Sequence, residues 1–137
     1  MAESQGWIGV DLDGTLAVYP HSFPEIGPPI APMVTRVKHW IADGADVRIF
    51  TARVAEVMGL RNTNGQEADV VFAKDQRQKI EAWCAEHLGR VLPITATKDF
   101  TMICLYDDRC VQMLPNTGEA LEDAVIDVAL KINRRAE

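Results

Sequence analysis

No apolar run in this 137-residue sequence approaches the ~20 residues needed to cross a membrane, so no membrane partner is expected. Cysteine is scarce: Cys84, Cys104 and Cys110 make an odd number with no metal-type spacing. Cys84 and Cys104 fall in apolar surroundings and read as buried free thiols. No histidine lies near Cys110 in sequence to activate it, which argues against a cysteine nucleophile. Positive charge is outnumbered, with 14 Lys and Arg against 20 Asp and Glu and a net charge of −6. Broad binding to nucleic acid needs clustered basic residues, so a nucleic-acid partner is not expected. The first residues, Met1-Ala2-Glu3-Ser4-Gln5, lack the basic start of a signal peptide, and cytoplasmic location is the default expectation. Internal repeats, low-complexity tracts and an interdomain linker are also missing. What remains, 47% hydrophobic and 25% charged residues, is the composition of one globular domain over residues 1–137.

The chain is organised around Gly9-Val10-Asp11-Leu12-Asp13-Gly14-Thr15. The apolar run Trp7–Val10 reads as a short buried strand stopping at two carboxylates and a glycine. In an extended chain Asp11 and Asp13 point to the same side. Two like charges that close share a proton or a cation. Gly14 and Thr15 then turn the chain and offer backbone N–H groups to an anion. A polar strand-to-loop turn is the plainer alternative for this stretch alone.

Residues 17–30 form a proline-rich flap: Pro20, Pro24, Pro28 and Pro29 exclude a regular helix. From Pro32, apolar residues recur at helical spacing through Ile41, and Gly44 closes the helix. Val47–Phe50 is the second strand, with a weak helix signal over Val54–Met58 after it. Residues 61–69 read as a surface loop, and a helix is expected from about Lys74 to Leu88. Val91–Ile94 is a short strand whose proline suggests an irregular or peripheral position; Met102–Tyr106 is apolar throughout and expected to be buried on both faces. Val111–Leu114 is a candidate fifth strand, and a last helix runs from about Leu121 to Ile132. Strands alternating with helices predict an α/β fold: a Rossmann-like three-layer sandwich, a mostly parallel sheet with helices on both faces.

In such sheets ligands bind at the carboxyl ends of the strands. Three strands here end in polar residues that suit a single site. The first gives Asp11 and Asp13, the second Thr51, and the fourth Asp107 and Asp108. Converging carboxylates require a cation, and a hard divalent ion such as Mg²⁺ fits an all-oxygen donor set.

Asp11-Leu12-Asp13-Gly14-Thr15 resembles the DxDGT signature of the haloacid dehalogenase (HAD) superfamily. Phe50-Thr51 resembles its second motif, Lys98 the lysine of its third, and Tyr106-Asp107-Asp108-Arg109 its acidic fourth. The resemblance implies a Mg²⁺-dependent phosphomonoester hydrolase working through an aspartyl-phosphate. In that scheme Asp11 is the nucleophile and Asp13 the general acid/base. Thr51 donates to a phosphoryl oxygen, and Lys98 neutralises charge, with Lys74 as its rival. Mg²⁺ would be held by Asp11, the backbone carbonyl of Asp13, Asp107 and, directly or through water, Asp108. Gly14, Arg53, Arg109, Tyr19 and His21 are candidates to meet substrate. A phosphotransferase or phosphomutase of the same superfamily, or a non-catalytic phosphate-binding module on its fold, are the alternatives.

Many members carry a cap domain, inserted after the first motif or between the second and third. Neither gap here leaves room for a separate unit of ~50 residues or more, so the chain resembles a capless member. The phosphorylated substrate, small molecule or macromolecule, would then be covered by its own bulk, by another subunit of a homo-oligomer or by the flap. Tyr19, His21 and Phe23 are the flap side chains expected at the substrate, with pinning of the loop to the body as the alternative for Tyr19 and Phe23.

Overall fold

Apolar positions two apart in the first strand and three to four apart in the helices converge on one buried cluster. The structure, a computed structural model, describes residues 6–56 and 66–121. The elements are β1 (Trp7–Asp11), α1 (Ala31–Ala42), β2 (Asp46–Phe50), a 3-10 turn (Ala52–Val54), α2 (Gln66–Leu88), β3 (Ile94–Thr95) and β4 (Met102–Tyr106). All four strands are parallel, in the order β3-β2-β1-β4. This is an α/β fold of Rossmann-like character. The chain divides into two compact units, residues 1–106, which hold every helix and strand named above, and residues 107–137.

The two β-helix-β connections, β1-α1-β2 and β2-α2-β3, step in the same direction along the sheet. Right-handed crossovers therefore place both helices on one face, where they touch each other. Val10 of β1 and Val47 and Ile49 of β2 join Val37 of α1 and Ile80, Cys84 and Leu88 of α2 in the core. The expected last helix lies outside the described residues.

The alternate positions of β1, Trp7 and Gly9, face away from that core. Trp7 is fully buried, the Arg48 guanidinium lies 4.8 Å above its ring, and its indole N–H donates to Asp99 at 3.0 Å. A Cβ at Gly9 would come within 3.0–3.1 Å of Leu105, Met102 and Trp7, so only hydrogen fits comfortably there.

Helix α1 begins with Pro32 in its first turn and ends in a Schellman motif. Gly44 (φ +86°) donates to Ile41, and Ala45 to Trp40 at 3.0 Å. Helix α2 starts eight residues before the expected Lys74, so residues 66–69 are helical rather than loop. Its early turns carry Asp69 and Phe72 at the spacing of Gln76, Lys79 and Trp83, a second stripe mixing polar and aromatic residues. The helix expected over Val54–Met58 is replaced by the 3-10 turn, as far as the described residues reach.

Strand β3 begins at Ile94 rather than Val91 and lies at an edge of the described sheet, one of the two places, irregular or peripheral, that its proline allowed. Strand β4 has its expected bounds, but burial on both faces does not hold: Ile103 is 61% exposed and Cys104 is exposed. Its register against β1 slips between Trp7 and Ile8, and among the described strands it pairs with β1 alone. An unbroken apolar run records hydrophobicity, and it does not distinguish a central strand from an edge one.

In the second unit the expected fifth strand is a single bridge, Met113 to Ala120. Asn116 (φ 66°) and Gly118 (φ 75°) make the turn between, closed by Leu114 N–H to the Glu119 carbonyl at 2.8 Å. No helix among the described residues is long and apolar enough to cross a membrane.

Candidate active site

The direction of chain progression reverses once in this sheet. From β1 the chain steps to β2 and β3 on one side, then returns to place β4 on the other. Ligands of open α/β sheets bind outside the carboxyl ends of the strands at such a switch point. Val10 pairs with Tyr106, so the next residue along β1 is Asp11 and the next along the chain after β4 is Asp107. The topology thus assigns a carboxylate to the carboxyl end of each strand at the switch.

Asp11 is half-buried, and its Oδ2 accepts from the Thr15 hydroxyl at 3.4 Å. The turn that follows is tightly closed. The Leu12 carbonyl accepts from the N–H groups of Thr15, Leu16 and Ala17 at 3.3, 3.0 and 2.9 Å. Gly14, at φ +89°, donates its N–H to Ala17 at 2.8 Å. The N–H groups expected to greet an anion are therefore used within the turn itself. That expectation for Gly14 and Thr15 is corrected.

Asp13 has a different environment. Arg53 Nε and a terminal nitrogen reach its two carboxylate oxygens at 2.7 Å each, a bidentate pair. The same guanidinium donates to the Pro24 carbonyl at 2.7 Å, the Glu25 carbonyl at 3.3 Å and Gln76 Oε1 at 2.6 Å. All five N–H donors of an arginine are then used. Arg53 is 3% exposed, with Phe23 stacked 4.9 Å from it. The expectation that Arg53 meets a substrate anion is not met, because its hydrogen-bonding capacity is filled within the chain. This role was not legible in the sequence, since the partners lie 40, 29, 28 and 23 residues away. The one available signal was Gln76 at helical spacing from Phe72 and Trp83.

Thr51 is 2% exposed at the end of β2, and its Oγ1 accepts from the Arg53 N–H at 3.1 Å, capping the 3-10 turn. Its hydroxyl hydrogen remains to be donated. Beside it, where the Thr51 N–H meets Thr95, lies an open cleft of about 370 Å³ lined by Val54, Glu56, Arg77 and Thr97 among others.

Lys98 is exposed in the β3–β4 connection, forms none of the described ion pairs, and precedes Asp99, whose carboxylate reaches back to Trp7 near the start of β1. Lys74 is likewise exposed on α2. Neither is brought to Asp11 by a described bond. In the second unit, Asp107 Oδ1 accepts from the Arg109 N–H at 2.8 Å, fixing the turn after β4; Asp108 and Arg109 are exposed.

The flap is fastened to the body. Ala17 bridges Pro29, and Val18 N–H donates to the Pro28 carbonyl at 2.9 Å. The Trp83 indole donates to Gly27 at 3.0 Å, Lys79 pairs with Glu25, and Phe23 packs on Phe72 with ring centroids 5.9 Å apart. Phe23 therefore pins the loop. Tyr19, 42% exposed, and His21, exposed with Ser22 against its ring nitrogen, point no such anchor into the body.

No family model matches the sequence, and no curated protein matches it. A solved structure described as that of a conserved protein from Bacteroides thetaiotaomicron is 16% identical, with 95% of this chain and 91% of that chain covered and a TM-score of 0.49.

Proposed function

We propose that the protein is a Mg²⁺-dependent phosphomonoester hydrolase that works through an aspartyl-phosphate on Asp11. The observation that carries this reading is the switch point between β1 and β4, with Asp11 ending one strand and Asp107 following the other. The donors offered by Asp11, the Asp13 carbonyl, Asp107 and Asp108 are all hard oxygens, which suit Mg²⁺. When bound, the ion would offset the charge of the carboxylates and of the phosphoryl oxygens.

Asp11 Oδ would form a bond to phosphorus as the ester P–O bond breaks, and Asp13 would supply the proton to the departing oxygen. Asp13 would then take a proton from the water that hydrolyses the acyl phosphate. Each Asp13 oxygen keeps a second lone pair beside its bond to Arg53, so the guanidinium orients the group without closing it off. Thr51 would donate its hydroxyl to a phosphoryl oxygen. Lys98 would neutralise charge on the nucleophile and the transferring phosphoryl group. The cleft beside Thr51 would take the organic part of the ester.

A non-catalytic phosphate-binding module is the second reading, favoured by one observation: both oxygens of the intended proton carrier are held by Arg53. Release of phosphate from an aryl phosphate, with Mg²⁺ and with chelator, separates the two. Turnover that chelator abolishes is expected, and Asp11→Asn should lower kcat by about a thousandfold or more with the fold intact. Retained turnover in Asp11→Asn refutes the nucleophile. Wild-type turnover at background across a broad ester panel favours the binding module.

A further inference from the structure

We propose that Arg53 is the positioning residue of this site, a buried rivet that fixes the Asp13 carboxylate and the 17–30 flap as one preformed unit. The part concerning Asp13 rests on the hydrolase reading; the part concerning the flap does not.

Three elements meet at the guanidinium. Asp13 comes from the turn after β1, Pro24 and Glu25 from the flap, and Gln76 from the middle of α2. The charge balance there is local: Asp13 is the one carboxyl group among the described partners of Arg53, and the remaining acceptors are two carbonyls and an amide. Gln76 is fully buried, and its Nε2 has no partner. Burying an unpaired amide donor is unfavourable, and the position is rationalised by its Oε1, which accepts the Arg53 donor that would otherwise be orphaned. A glutamate would accept equally well, yet would set a second carboxylate against the guanidinium and compete with Asp13. The uncharged acceptor leaves the ionic interaction to Asp13 alone. Lysine could not substitute, because a point-charge ammonium has three donors and no planar fork.

A chain without room for an inserted cap would be expected to use its flap as a moving lid. The contacts here describe a fixed wall instead. The Arg53 bonds to Pro24 and Glu25 hold the flap's tip side, while Trp83 on Gly27 holds its neck. Substrate would be met by a preformed edge bearing Tyr19 and His21.

The test uses the full chain with two variants, Arg53→Lys and Trp83→Phe, read by amide hydrogen exchange and by steady-state hydrolysis of an aryl phosphate with Mg²⁺. Arg53→Lys should speed exchange of the Val18 and Glu25 amides by about tenfold or more while the β1–β2 amides keep their protection. It should lower kcat by about tenfold or more with KM within about threefold, because a displaced Asp13 affects the chemical step. Trp83→Phe releases the flap neck and leaves the Asp13 pair intact, so flap exchange should rise while kcat stays within about threefold. Wild-type flap exchange in Arg53→Lys overturns the proposal. Equal loss of kcat in both variants overturns the Asp13 part, leaving Arg53 as a flap tether only. Absence of turnover in the wild-type chain removes the hydrolase reading and the Asp13 part with it, and exchange then decides the flap part alone.

Discussion

Gly27→Ala puts the fastened flap to a quantitative test. A Cβ at position 27 would stand 2.1 Å from the Val18 carbonyl oxygen, with Val18 C at 3.1 Å and His21 Cβ at 3.2 Å. Ordinary contact begins near 3.4 Å, so the flap neck must open by more than an ångström against backbone rather than a yielding side chain. That movement strains two bonds, Val18 to Pro28 at 2.9 Å and the Trp83 indole to Gly27 at 3.0 Å. Losing two hydrogen bonds at about 1 kcal/mol each, with a buried indole N–H left unpaired, amounts to about 2–4 kcal/mol. For a chain of this length that corresponds to a fall in Tm of about 8–16 °C. Gly89→Ala is the comparison: φ is +77° there, with nothing within 4 Å of the added methyl, so it carries conformational strain of about 1–2 kcal/mol and no clash. Thermal unfolding followed by circular dichroism should rank Gly27→Ala well below Gly89→Ala. Equal midpoints for the two variants would show that the neck yields, and the picture of a rigid flap would be wrong.

Two further outcomes concern titratable groups. The Thr101 hydroxyl, then the Trp7 indole and the Thr101 N–H, hold the Asp99 carboxyl down to about 2 from the usual carboxylate range. A depressed native pKa stabilises the fold above the unfolded value of about 4, and that stabilisation is lost as pH falls through about 2. Urea midpoints of wild type and Asp99→Asn should therefore differ most near neutral pH and converge as pH falls toward about 2; a gap that widens on acidification contradicts the assignment. Burial pushes the Cys84 thiol up to about 11, whereas Cys104 and Cys110 are exposed. A thiol reagent at about pH 8 should titrate two cysteines in the native protein and a third only with denaturant, and three rapid equivalents would place Cys84 in reach of solvent.

The parts of the fold legible in the sequence were those written locally. Trp7–Val10 ending at a carboxylate, Pro32 opening a helix that Gly44 closes, and the bounds of Met102–Tyr106 all depend on neighbours within a few residues. The early turns of α2 escaped because their stripe, Phe72, Gln76, Lys79 and Trp83, faces the flap and mixes polar with aromatic groups, so no apolar period marks it. Strand β4 misled because an edge and a centre read alike in apolar content. At the candidate site, Asp11 and Asp13 are two positions apart in the sequence, but their separate environments could not be read from it. Thr15 on one and Arg53 on the other follow from the fold of the turn and from partners dozens of residues away.

Strand order also sets an order of assembly. Among the described strands β1 is made before its neighbours, yet it is flanked on both sides in the finished sheet. Its first neighbour, β2, arrives about 40 residues later, as the pairing of Trp7 with Asp46 records. Its second, β4, must wait until about residue 102, when Met102 comes opposite Trp7 and Asp99 bonds its indole across 92 residues of chain. Closing loops of that length before any contact rewards them slows folding. A nascent chain halted before Asp99 would hold β1 with one edge open and Trp7 without its partner. Of the described strands, the one that carries Asp11 is thus made first and among the last completed.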